Sequence, residues 1–86
     1  MNIEKSIGPD NLLYTLDKNG ERYIGEHKSG IPNGEGQQTW PGGYVYVGSF
    51  KDGFRHGWGV FTYPSGKKQT GYFFKGKFTK TQRHGK

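Results

Sequence analysis

The chain has 86 residues, no cysteine and a formal net charge of +6. That length bounds a single domain with a small core, and the absence of cysteine excludes a disulfide framework and thiolate chemistry. No apolar run matches a signal-peptide core or a membrane span, so a soluble, cytoplasmic protein is expected.

Residues 1–16 form an N-terminal segment, predicted as an extra strand or a cap. Within it "NIEKS" is the best place for a helical turn, which Gly8-Pro9 would end, and "LLYTL" (12–16) is strand-sized. Residues 17–78 follow as a repeat-built sheet. Its strands are predicted near 21–27, 35–40, 44–50, 58–63 and 69–74, from alternation such as "YVYVGSF" and the aromatic, β-branched run "WGVFTY". Between strands lie "DKNG", "KDGFRHG" and "PSG", which carry turn chemistry. Residues 79–86 are a basic tail. The fold class is all-β: a single-layer, twisted antiparallel meander of hairpins with little or no helix.

A repeat underlies this pattern. Shifting "YIGEHKSGIPNGEGQQTWPGG" (23–43) by 23 residues lays it on "YVGSFKDGFRHGWGVFTYPSG" (46–66) without a gap. Tyr23 then meets Tyr46, Gly25 meets Gly48, Gly34 meets Gly57 and Gly36 meets Gly59. "QTGYFFKG" opens a truncated third unit, and "DKNG" closes an incomplete earlier one. The pattern resembles the MORN repeat (membrane occupation and recognition nexus). The second unit matches at Tyr46, Gly48, Phe50, Gly53, His56, Gly57, Gly59, Tyr63, Pro64 and Gly66. The first matches less fully, with His27 at the Phe position and Asn33 at the His position. The resemblance implies a sheet of hairpins used for protein–protein or protein–lipid contact, and no catalytic residues.

The two faces of the sheet differ. Tyr44, Tyr46, Gly48 and Phe50 share one side with Gly59, Phe61 and Tyr63. Aromatic rings there are expected to lie in grooves left by glycine, as in aromatic rescue. The other face carries Val45, Val47, Trp58, Val60, Tyr72 and Phe74 in the C-terminal half, but Ile24, Glu26, Glu35, Gln37 and Thr39 in the first unit. A sheet apolar on both sides needs a cover. That cover is either the N-terminal segment, with Ile3, Ile7, Leu12 and Leu13, or a second copy in a homodimer. The expected interaction face is Trp58, Val60, Val47, Tyr72, Phe74 and Trp40.

Charge divides the chain. Residues 1–52 hold five Lys or Arg against seven acids, whereas residues 53–86 hold eight and no acid. Arg55, Lys67, Lys68, Lys75, Lys77, Lys80 and Arg83 are therefore candidates for anion binding. Catalytic constellations are missing. His56 and Asn33 occupy one repeat position, which points to backbone hydrogen bonding. No histidine pair has metal-ligand spacing, and Glu26 with Glu35 is a weak carboxylate pair. The two G-x-G runs precede no helix. No catalytic residue, metal or cofactor is expected.

Three functions follow from these residues. The first is a protein-interaction module that self-associates. The second is binding of anionic phospholipid through the basic half. Nucleic acid ranks below lipid there, because the RNA-binding motif K/R-G-F/Y-G/A-F is absent. The third is capture of a small anionic or nucleotide ligand by an oligomer, with Trp40, Trp58 and Tyr72 stacking a base and Arg55 meeting a phosphate.

Overall fold

The computed structural model describes residues 3–81, and the side chains of residues 4–79. Eight strands form one sheet: β1 (Ile3–Ile7), β2 (Leu13–Asp17), β3 (Arg22–Lys28), β4 (Ile31–Trp40), β5 (Tyr44–Lys51), β6 (Phe54–Thr62), β7 (Lys68–Phe74) and β8 (Lys77–Thr81). They lie in chain order and each pairs antiparallel with the next, an up-and-down meander. Among the described residues there is no helix, as the sequence predicts.

The expected helical turn at "NIEKS" is instead β1. A segment this short cannot meet the cost of helix nucleation. Its period of two suits an edge strand, paired from Ile3 opposite Asp17 to Ile7 opposite Leu13. The N-terminal segment thus widens the sheet in its own plane, placing Leu13 in the core of one face and Leu12 beside Ile24 and Val47 on the other. At the other end β8 runs to Thr81, past the predicted boundary at 78. Arg83 and the rest of the tail beyond Thr81 lie outside the described residues.

The long loop expected in "KDGFRHG" is a two-residue reversal. Asp52 and Gly53 both take positive φ (51° and 88°), as do Ser29–Gly30 and Lys75–Gly76 at the same repeat position. Two successive positive φ angles give the type I′ turn that matches the twist of a hairpin. Phe54 therefore rejoins the sheet at once, opposite Lys51, and β6 starts four residues earlier than predicted.

The core lies on one face. Leu13, Tyr23, Tyr46, Phe50 and Phe73 are buried, with Trp40, Phe61 and Phe78 packed against them. Tyr46 has no exposed surface. Its ring meets Phe50 and Phe73 edge-on at 5.2 and 4.8 Å, and Tyr23 meets Phe50 at 4.8 Å. We call this the ring face and the opposite one the valine face.

Candidate interaction surfaces

Each repeat builds the ring face in the same way. Gly25 pairs with Gly36, and Gly48 with Gly59. A Cβ on Gly36 would run into the Tyr23 ring, and one on Gly59 into the Tyr46 ring. The register shifts between Gly25 and His27, and between Gly48 and Phe50, so that Glu26 alone faces residues 33–35 of a bulged β4 and Ser49 alone faces residues 56–58 of a bulged β6. The Tyr23 hydroxyl donates to the Glu26 carbonyl at 2.6 Å, and the Tyr46 hydroxyl to the Ser49 carbonyl at 2.9 Å. The glycine makes room for the ring, and the ring's hydroxyl satisfies the carbonyl that the bulge frees. Burial pushes both phenols up to about 12.

The His56–Asn33 equivalence also has a structural basis. Asn33 Oδ1 accepts from the Asp52 amide at 3.1 Å, and His56 Nδ1 from the Lys75 amide at 3.3 Å. Each ties its repeat to the turn of the next hairpin. His27 Nδ1 accepts from the Gly30 amide at 3.0 Å, so it stays local.

One end of the ring face holds an aromatic cluster. Trp40, Tyr44 and Tyr63 gather round Phe61 with centroids 5.6, 6.0 and 5.1 Å from it, and Tyr44 lies 6.0 Å from Tyr63. The Arg55 guanidinium lies 5.1 Å from the Trp40 ring, 5.7 Å from Phe61 and 6.0 Å from Tyr46. Its Nη2 donates to the Gly76 carbonyl at 2.7 Å. Burial lowers the Arg55 pKa, because few waters remain to solvate the cation.

On the valine face, Val47 lies opposite Gln37 and Val60, and Trp58 opposite Tyr72. Ile24, Val47, Trp58, Tyr72 and Phe74 are each between 40% and 55% exposed, a large share for residues of this size. Trp58 meets Tyr72 edge-on at 5.6 Å, and the His56 ring lies 5.1 Å from Phe74. Lys75 Nζ sits 5.6 Å from the Phe74 ring, and Lys68 Nζ donates to Thr62 Oγ1.

The structure thus brings together most of the expected interaction face, namely Trp58, Val60, Val47, Tyr72 and Phe74. Trp40 is not among them. Its pairing with Tyr44 places it on the ring face, beside Arg55. The stacking residues of the nucleotide reading are likewise split, with Trp40 on one face and Trp58 and Tyr72 on the other. The cations also divide. Lys67 and Lys68 lie at one end of β7, Lys75 and Lys77 at the other, and Arg55 on the ring face. The Lys80 side chain lies outside those described. Sequence reasoning had left Tyr44 out of its site; the signal was its alternation with Tyr46.

The carboxylate pair that the sequence offers is already engaged. Glu26 Oε1 accepts from the Glu35 amide at 2.8 Å, and Glu35 Oε2 from the Ser49 hydroxyl at 2.6 Å, so each carboxylate is held by its own donor. Among the described residues no cluster of His, Cys, Asp and Glu could hold a metal ion, and no helix is long and apolar enough to cross a membrane.

Among curated proteins no significant match to this chain is found. The family model of the MORN repeat matches residues 23–43 and 46–68. MORN repeats are non-catalytic and serve in protein–protein or membrane-interaction modules. The two matches are adjacent, coincide with the units that share the glycine–tyrosine device, and cover more than half of the 86 residues, so the chain belongs to the MORN-repeat family.

Proposed function

We propose that this protein is a non-catalytic interaction module that pairs with a second copy of itself through the valine face. The observation that carries this reading is the uncovered apolar strip of Ile24, Val47, Trp58, Tyr72 and Phe74. Of the two covers open to the sequence, the N-terminal segment is spent on β1 and β2 at the edge of the sheet. Charge supports a second copy. Glu26 and Glu35 stand on β3 and β4, Lys68 and Lys75 at β7, although Arg22 also lies on β3. A two-fold axis parallel to the strands sets the acidic half of one copy against the basic half of the other.

Sedimentation velocity at micromolar concentration is expected to show a dimer. The double variant Val47→Asp, Phe74→Glu should be a folded monomer, with self-association weakened about a hundredfold as buried apolar contacts become buried charges. Both side chains are exposed in the single copy, so unchanged circular dichroism is expected. Wild-type protein that sediments only as monomer rejects this reading.

A second reading is supported by the lysines at the two ends of β7. Trp58, Tyr72 and Phe74, with Lys75 beside Phe74 and Lys68 at the far end of the same strand, suit an anionic phospholipid surface, where rings settle at the headgroups and each lysine adds about 1 kcal/mol. Flotation with phosphatidylserine-containing vesicles should then weaken steeply along a salt series. Binding indifferent to salt removes the electrostatic mechanism.

A further inference from the structure

The ring face carries a cation that no carboxylate touches, Glu21 acting on it only from beyond ion-pair distance. Arg55 is half-buried, opposite Phe50 and over the Trp40 ring. A guanidinium has five N–H donors in a rigid fork. Among the described residues Arg55 makes one side-chain hydrogen bond, to the Gly76 carbonyl, and no carboxylate lies within ion-pair distance. The same group lines a shallow cleft of about 440 Å³ whose other walls are Trp40, Pro41, Tyr44 and Phe61. Tyr44 is 39% exposed, and among the described residues its hydroxyl has no hydrogen-bond partner.

A partly desolvated cation with unused donors favours an anion that can take two of them at once, which a carboxylate does. The ring walls add a second requirement, a flat apolar group beside that anion. The cleft is open and shallow, so it would leave a small molecule largely exposed, whereas small-molecule sites bury most of their ligand. An extended chain lying across an aromatic-lined groove needs no such enclosure. We infer that this cleft binds an extended peptide presenting an Asp or Glu next to a proline or aromatic residue, with Arg55 clasping the carboxylate and Trp40, Tyr44 and Phe61 holding its neighbour. The site is on the opposite side of the sheet from the proposed dimer surface, so it can be filled in either state.

The test uses a displayed library of random peptides, selected on the folded protein. Selected sequences should be enriched in an acid beside proline or an aromatic residue. Synthetic copies are then titrated into the Trp58→Phe variant, in which Trp40 is the remaining tryptophan and reports from the cleft. Trp40 emission should respond. Arg55→Gln and Tyr44→Ala should each weaken binding about tenfold, the scale of a lost charged hydrogen bond or ring contact. Replacing the peptide's glutamate by glutamine should cost the same and add nothing on top of Arg55→Gln. Should Arg55→Gln fail to fold, Tyr44→Ala and the glutamine peptide still carry the test. Selected peptides without acids, an empty selection, or affinities within twofold across these changes would overturn the inference. So would nucleotides or inorganic phosphate displacing the peptide at lower concentration than it binds.

Discussion

Gly59→Ala is expected to lower the thermal midpoint by about 12–24 °C, from a loss near 3 kcal/mol in a domain of this size. The backbone at Gly59 is not in the positive-φ region, so alanine meets no conformational penalty there. The cost is steric. The new methyl falls on the Tyr46 ring, at Cε1, Cζ and the hydroxyl. That ring cannot step aside, because its hydroxyl is bonded to the Ser49 carbonyl and Phe50 and Phe73 stand edge-on against it. Gly66→Ala is the control. A Cβ there meets nothing within 4 Å, but φ is +96°, so only a backbone penalty of about 1 kcal/mol is expected. Combining Gly59→Ala with Tyr46→Leu should cost less than the sum of the two, since the smaller side chain vacates the groove. A midpoint for Gly59→Ala within 3 °C of wild type, on the scale of less than about 1 kcal/mol, would show that the groove is slack.

This device was legible in the sequence because it leaves a period. Tyr23 and Tyr46, with Gly36 and Gly59, recur at one spacing, and strand alternation puts each ring on the glycine face. The turns were less legible. A glycine in "KDGFRHG" marks a reversal but not its length, which follows from Asp52 taking positive φ together with Gly53. The β1 strand was half legible: residues 1–16 could add a strand, but "NIEKS" read as a helical turn because a strand there draws its stability from pairing with β2. The ring-face cleft was least legible of all. Trp40 and Arg55 meet only because Trp40 pairs with Tyr44 and the bulge after Gly48 slides β6 along β5 until Arg55 lies opposite Phe50. Spacing alone places Arg55 among the basic residues; cross-strand register places it among rings.

The fold should also fail in alkali, with stability falling between pH 10 and about 12. Tyr23 and Tyr46 have phenols pushed from 10.0 up to about 12, in each case chiefly by burial. The nearby charges of Glu26 and Glu35 add to the shift at Tyr23, while Arg55 opposes it at Tyr46. A raised native pKa means that the fold holds the proton more tightly than the unfolded chain does. Their contribution is therefore complete below pH 10, where both states are protonated, and is lost as pH climbs toward 12. With almost no exposed surface on either ring, solvent screening reduces the effect little, and each phenol is worth about 2 kcal/mol. Urea midpoints measured along a pH series should thus decline steeply above pH 10, with phenolate absorbance rising as the protein unfolds. Tyr46→Phe should cost about 1 kcal/mol at neutral pH, from the Ser49 carbonyl left without its donor, yet give a shallower alkaline slope because one titrating group is gone. Wild-type midpoints that stay flat up to the native pKa, or a slope unchanged in Tyr46→Phe, would mean that these phenols ionise without leaving the glycine grooves.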